Sequence, residues 1–296
     1  LNAAYKSNYY TMIRVWPMGV AMRWTPQAET AVGKVPFFVR KRVRARVEKE
    51  ASAEGKKVVT LKEVQATQTR FLTQQQHEIK GYQVECCFGP SGCPNRAVVS
   101  DDLAGRVTAR LQEADLLNFL KVQVGAEKLK YHHEFRVTIA DCPNACSQPQ
   151  IKDVGIIGAV RPIIGRADCE QCQGCVDVCK EDAVTLQADG EAPDLDLKRC
   201  MACGQCVAEC PTGTLQNECI GYRIVLGGKL GRHPRLAREL PGIYSSDQVL
   251  KVLTECLNFY KTNSRNGSRF GEVLTEGIFA QLTEKARGMN QPRDNA

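Results

Sequence analysis

The sequence predicts an α+β fold, interrupted by a compact cysteine-rich insert and preceded by a small helical region. Three observations carry this. Helix-period and strand-period hydrophobic patterns alternate along most of the chain. Two evenly spaced cysteine runs occupy 169–210. The segments on either side of those runs read as parts of one domain, so the insert interrupts a domain and does not end one.

With 296 residues, 43% apolar and 25% charged, the chain can bury one large core or two to three smaller ones. The best membrane-span candidate, 154–165, is short and broken by Arg161 and Pro162, so no span is expected. The chain opens at Leu1 with neither a methionine nor a charged-then-apolar leader, which fits an N-terminally truncated fragment. Its 15 cysteines are an odd number, and most lie too close in sequence to pair as disulfides. Metal binding in a reducing cytoplasm explains them better. The formal charge of +7 counts every cysteine as neutral. A 4Fe-4S cluster on four thiolates carries roughly −2, so three clusters would bring the chain near neutrality. The basic pI is then no evidence for a nucleic-acid partner.

Residues 1–23 show no clear period. Thr25-Pro26 forms a helix cap and first turn, followed by a helix over 27–32 and, after Gly33, a basic helix over 37–53. Its Lys and Arg residues suit a solvated face or, alternatively, an anion-facing one. Gly55 stops that helix, and Thr60 starts another that reaches about 75. A loop bearing Cys86, Cys87 and Cys93 leads to a helix opening at Ser100 or Asp101, with Leu103, Val107, Leu111 and Ala114 on one face. Over 134–140, Phe135, Val137 and Ile139 alternate with Arg136, Thr138 and Ala140, a half-buried strand from which Arg136 projects away from the core. Cys142 and Cys146 follow directly. Beyond the insert, 222–226 reads as a strand, and 247–261 and 270–286 read as helices.

Cys169, Cys172, Cys175 and Cys179 repeat the spacing of Cys200, Cys203, Cys206 and Cys210, the last followed by Pro211. This is the bacterial two-cluster ferredoxin run. Three thiolates from one tight loop each reach a different iron of a cubane, and a fourth from the following helix reaches across. One 4Fe-4S cluster then takes Cys169, Cys172, Cys175 and Cys210, and the other takes Cys200, Cys203, Cys206 and Cys179. Lys180 departs from the pattern, where the first run ordinarily has proline. Structural zinc favours two separated C-x2-C pairs, a different arrangement.

Cys87 and Cys93 in CFGPSGC, and Cys142 and Cys146 in CPNAC, supply four further thiolates. With these strings, CPNACSQPQIKDVGIIG, GGKLGRHP and SRFGEVL, the chain resembles the siroheme-dependent sulfite and nitrite reductases over about 81–165 and 217–286. The resemblance implies a third 4Fe-4S cluster on Cys87, Cys93, Cys142 and Cys146, with Cys146 bridging to siroheme iron. The eight carboxylates of siroheme need cationic donors. Arg136, Lys152, Lys229 and Arg232 lie nearest the matching strings. Arg136 stands where many relatives have a lysine near the bound sulfite, and Glu134 where a neighbouring lysine is common. The inserted ferredoxin segment is similar to that of dissimilatory and anaerobic sulfite reductase subunits. Residues 24–78, with WTPQAETAVGKVPFFVRKRVRARVEKEA, resemble the small C-terminal domain of the light-independent protochlorophyllide reductase B subunit. Cys86, Cys219 and Cys256 are left as packing residues.

The expected organisation is therefore an unassigned 1–23, a small helical domain over 24–78, and a sulfite reductase-like α/β half-domain over 79–165 and 215–286. That half-domain is split by a ferredoxin insert over 166–214 and followed by a tail over 287–296. The implied activity passes electrons from a donor protein through the two ferredoxin clusters to the siroheme-coupled centre, which reduces sulfite or nitrite, with Arg136 acting on the oxyanion. Relatives clasp siroheme between two related halves and this chain has one, so a second copy or another subunit would complete the pocket. The competing readings are an electron-transfer subunit without siroheme, and a tetrapyrrole-binding or maturation protein.

Overall fold

The computed structural model describes residues 22–100, 102–187 and 192–290. Residues 1–21 of the unassigned segment, the helix-opening candidate Asp101 and the end of the 287–296 tail lie outside them. The chain divides into two compact units, Leu1–Gln75 and Gln76–Ala296.

In the first unit, β1 (Arg23–Trp24) pairs in parallel with β2 (Val58–Val59), and α1 (Pro26–Gly33), α2 (Phe37–Ala53) and α3 (from Leu61) pack beside them. The Thr25 hydroxyl accepts from Ala28 N–H and Pro26 occupies the first turn, where its missing N–H costs nothing. Ala28, Val32, Val47, Ala51, Val59 and Val64 form the small core. The basic helix is partly neutralised from within, since Arg44 pairs with Glu29 and lies 4.4 Å over the Trp24 ring, and Arg46 pairs with Glu50. Lys41 and Arg42 remain exposed. Helix α3 runs to Glu78, three residues past the expected end.

The second unit is built on a five-stranded sheet of order β3-β4-β5-β8-β9. Strand β3 (Tyr82–Cys86) is followed by helices α4 (Leu103–Glu113) and α5 (Leu116–Val124) and then by β4 (Phe135–Ala140) and β5 (Val154–Ile164). Those three strands are mutually parallel. The insert carries α6 (Gly174–Asp177), β6 (Val184–Thr185), β7 (Asp194–Leu195) and α7 (Gln205–Ala208). Strand β8 (Leu215–Leu226) returns antiparallel to β5, and β9 (Arg238–Glu239) closes the edge. Helices α8 (Ser246–Asn263), α9 (Phe270–Val273) and α10 (Glu276–Asn290) complete the unit.

The insert is the loop of one long hairpin. β5 and β8 pair from Val154 with Leu226 down to Ile164 with Leu215, and Gly165 N–H donates to Thr214 C=O at 2.6 Å where the insert begins and ends. Its two ends are thus adjacent, the condition under which an insertion leaves the host sheet undisturbed. A bulge sits at Arg161/Pro162, where proline cannot donate to the ladder.

One sheet face is apolar. Phe135, Val137 and Ile139 join Ile156, Ile224 and the α8 stripe of Val249, Leu253, Cys256, Leu257 and Tyr260 in a single core. Phe135, Tyr260 and Phe270 meet with ring centroids 5.3 to 6.3 Å apart.

Several expected boundaries are corrected. The strand read over 222–226 is the end of a twelve-residue strand. The apolar run 154–164 is also a strand, buried on both faces over most of its length. The helix read over 270–286 is two helices. It breaks at Leu274, whose ψ of 78° leaves the helical region, and α10 extends through Asn290. Arg238 donates to the Leu274 and Thr275 carbonyls that this break frees. Helix α4 starts at Leu103, because the Ser100 hydroxyl is committed to the Asp141 carboxylate.

Candidate iron–sulfur and anion site

The face of β4 opposite the core carries the third thiol set. Thr138, on the same face as Arg136, has its hydroxyl between Glu85 C=O at 3.0 Å and Ser147 C=O at 3.3 Å, and the Ser147 hydroxyl donates to Ile139 C=O at 2.9 Å, which fixes the Cys142–Cys146 loop over the strand. Asp141 organises the other loop. Its backbone carbonyl accepts from Ala97 and Val98 N–H at 2.8 and 3.1 Å, and its own N–H donates to Cys87 Sγ at 3.2 Å. The turn packs so closely on β5 that a Cβ at Gly158 would come within 2.4 Å of the Asp141 carbonyl oxygen.

The four thiols converge. Burial raises the Cys142 thiol, and Cys87, Cys146 and Cys93 all act on it electrostatically. Cys87 Sγ also accepts from Gly89 N–H at 3.2 Å, and Cys146 Sγ from the Asn144 amide at 3.0 Å. Cys146 is the exposed member.

The insert brings its eight thiols together crosswise. Cys175 is raised by burial and then by Cys169, Cys172 and Cys210. Cys206 is pushed up to about 12 by burial, with Cys203, Cys200 and Cys179 adding to it. Cys210 differs: burial alone would raise it, but hydrogen bonds from Leu215 N–H and the Thr212 hydroxyl together hold it below its ordinary value. Clustered, desolvated thiols resist ionisation for want of nearby positive charge. An iron–sulfide core supplies that charge and takes one thiolate per iron, so the donor set fits. Among the described residues no three His, Cys, Asp or Glu side chains are placed to hold one metal ion. A cubane makes a different demand, because its thiolates bind separate irons.

The basic residues expected around siroheme are only partly brought together. Arg136 has its N–H on the Asp153 carboxylate at 2.9 Å, and its Nε is buried without a hydrogen-bond partner among the described residues. Lys152 pairs with Glu85, and Lys229 with Glu272 at 2.7 Å. Arg232 is exposed in the loop after β8. Glu134 faces inward, accepting from Lys80 and Gly81 N–H and from the Gln83 amide, so it fastens the start of β3.

Sequence reasoning missed Asp153 and Arg269, which form an ion pair at 2.8 Å, with the carboxylate fully buried. Burial pushes the Asp153 carboxyl up, and Arg269 and the Arg136 N–H pull it back. Arg269 Nε is likewise buried without a partner among the described residues. His132 and His133 were also missed. Burial lowers both, and Lys130 and Arg269 act on each, so a basic neighbourhood surrounds Arg136. The only local signals were the SRFGEVL and KDVGIIG strings. Of the three cysteines expected to be packing residues, Cys256 is buried, Cys219 is half-buried and Cys86 is exposed at the end of β3.

A thiol-rich α+β chain with these loops belongs to the iron–sulfur proteins. Residues 83–287 match the model of the nitrite and sulphite reductase 4Fe-4S domain. The chain belongs to that family and is a sulfite reductase-like iron–sulfur protein. Residues 24–67 match the proto-chlorophyllide reductase 57 kD subunit model. The chain is 30% identical over 128 residues to the coenzyme F420-dependent sulfite reductase of Methanocaldococcus jannaschii, covering 43% of this chain and 20% of that protein. It is 32% identical over 113 residues to the beta subunit of the dissimilatory-type sulfite reductase of Archaeoglobus fulgidus, covering 36% of this chain and 30% of that one. It therefore spans less than a third of either relative. A crystal structure of dissimilatory sulfite reductase I aligns with a TM-score of 0.47 and 17% identity over 77% of this chain and 60% of that one. Among the described residues no helix is long and apolar enough to cross a membrane.

Proposed function

We propose that the chain is a subunit of a sulfite reductase-type oxidoreductase. In this reading Cys87, Cys93, Cys142 and Cys146 hold a 4Fe-4S cluster beside siroheme, and the eight thiols of the insert hold two more clusters that feed it. When bound, the clusters supply one-electron steps and siroheme supplies a site at which sulfite, or nitrite as the alternative, is reduced. The convergence of four thiols on the Arg136 face of β4 carries the reading.

The chain's own residues bind and orient. Arg136 and Arg269 retain buried, unpartnered Nε donors and would turn them toward the carboxylates of the macrocycle or the oxygens of the anion. Asp153 accepts from the Arg136 backbone N–H and from the Arg269 guanidinium, so one carboxylate oxygen anchors the strand at Arg136 and the Arg269 side chain. Asn144 donates to Cys146 Sγ and holds that sulfur in place. Lys152 and Lys229 would exchange their half-exposed glutamate partners for cofactor carboxylates. A second copy or another subunit would complete the pocket.

Those two glutamate pairs also favour a second reading, an electron-transfer subunit that keeps the clusters and does without siroheme. An absorption spectrum with siroheme extraction, and sulfite-dependent oxidation of a reduced viologen dye, separate the two. The first reading predicts an extractable siroheme with a Soret band and dye oxidation. Iron–sulfur absorption alone, with no turnover, would leave the second.

A further inference from the structure

The two thiol sets of the insert sit in different electrostatic surroundings. The loop of Cys169, Cys172 and Cys175 is the outer one, with Cys172 exposed and the exposed carboxylates Asp168, Glu170 and Asp177 around it. The loop of Cys200, Cys203 and Cys206 is fastened to the host sheet. Val160 N–H donates to Ala202 C=O at 2.8 Å, Val160 bridges to Cys203, and Arg223 donates to Met201 C=O at 3.2 Å.

Arg161, the next residue of β5, lines one hollow with Cys200, Ala202 and Arg223. The two guanidinium groups differ. Arg223 is met bidentately by Glu239, with both contacts at 2.6 Å, so its charge is answered and it acts as a clamp. Arg161 reaches Glu218 only at 3.5 Å, so its charge is less fully answered where it lines the hollow with Cys200. Backbone N–H donors serve both sets, and Gly213 and Thr212 add two more at Cys210. Gln171 and Leu215 serve Cys169 and Cys210, while Ala202 and Ala183 serve Cys200 and Cys179. Cys210 adds a 3.6 Å contact with the Thr212 hydroxyl, weaker than a full charge.

A reduced cluster carries one more negative charge than an oxidised one, so a nearby cation stabilises the reduced form and carboxylates oppose it. We propose that Arg161 raises the reduction potential at the Cys179, Cys200, Cys203 and Cys206 set, offsetting the burial that disfavours added negative charge there. Electrons would enter at the exposed Cys172 loop, and Arg161 would favour their passage inward to the sheet. This inference rests on the ferredoxin reading of these eight thiols. The donor is a low-potential one-electron carrier, which loses one electron as the outer set gains it. The outer set is reoxidised as the inner set gains that electron, with no bond, proton or leaving group involved. The inner loop is hydrogen-bonded to β5, the neighbour of β4, whose end leads into Cys142, so the order points toward the third thiol set.

The test is an anaerobic redox titration of the full chain followed by electron paramagnetic resonance. The wild type should show two midpoints from the insert, lost with Cys172→Ser and Cys203→Ser respectively. Arg161→Gln should lower the midpoint that Cys203→Ser removes and leave the other in place. Arg161→Lys should restore it, Glu218→Gln should raise it, and added salt should shrink each shift. Unmoved midpoints in Arg161→Gln, or equal shifts in the Gln and Lys variants, overturn the proposal. If Arg161→Gln fails to retain iron, a Glu218→Gln midpoint that does not rise overturns it instead. Absence of any reducible centre that depends on Cys172 and Cys203 is a separate outcome and defeats the ferredoxin reading itself.

Discussion

Asp153 ties three elements together, since it precedes β5, accepts from the Arg136 N–H of β4 and holds Arg269 at the start of α9. A fully buried carboxylate survives only while its partner is present. Arg269→Ala, which strands the charge, should therefore cost about 3–5 kcal/mol of unfolding free energy. The double variant Asp153→Asn, Arg269→Met should cost less, as measured by denaturant unfolding under anaerobic conditions. A single variant no worse than the double would remove the structural role. At the other end of the chain, Lys56 together with the Thr60 hydroxyl and N–H holds the Glu63 carboxyl at about 2, against an ordinary 4.5. The folded value is the lower one, so this stabilisation is fully present above about 4.5 and fades as the pH falls toward 2. Glu63→Gln should lower the thermal midpoint seen by tryptophan fluorescence at pH 7, by an amount that shrinks in acid. A pH-independent difference would contradict the assignment.

At the scale of elements, the cysteine loops depend on how closely they approach the sheet. Gly204 has φ of +72°, and a Cβ there would meet Val160 Cβ at 2.8 Å; Gly213 shares that φ but has open space around it. Gly204→Ala should push the inner loop off β5 and lower bound iron. Gly213→Ala should cost only backbone strain, about 1–2 kcal/mol, and keep its iron. Equal iron in the two proteins would mean that the contact with Val160 does not position the loop. The legibility of these elements followed the range of the forces behind them. Cysteine spacing and the alternation of Phe135, Val137 and Ile139 are local signals and could be read directly. The 154–164 run is apolar on both faces and so has no period to read, because β5 is a central strand flanked by β4 and β8. The break at Leu274 depends on Arg238, and the anion neighbourhood depends on Arg269 meeting Asp153 from 116 positions away. No local pattern encodes such pairings.

At the largest scale, the second unit is a sheet whose apolar face packs helices and whose other face, together with one long hairpin, displays thiols. The insert leaves and rejoins the sheet at the Gly165–Thr214 contact, and its inner loop is fastened to β5 at Val160. That arrangement explains why the reductase-like strings were readable on both sides of the insert, while the ion pairs of Lys152 and Lys229 with glutamates were not. The account depends most on the thiols holding iron and sulfide. The direct measurement is iron, inorganic sulfide and zinc per chain in anaerobically purified full-length protein. About twelve iron and twelve sulfide with no zinc are predicted, as three 4Fe-4S clusters require, falling by about four of each in Cys172→Ser and in Cys203→Ser. Zinc, disulfides or bare thiols at those positions would contradict it.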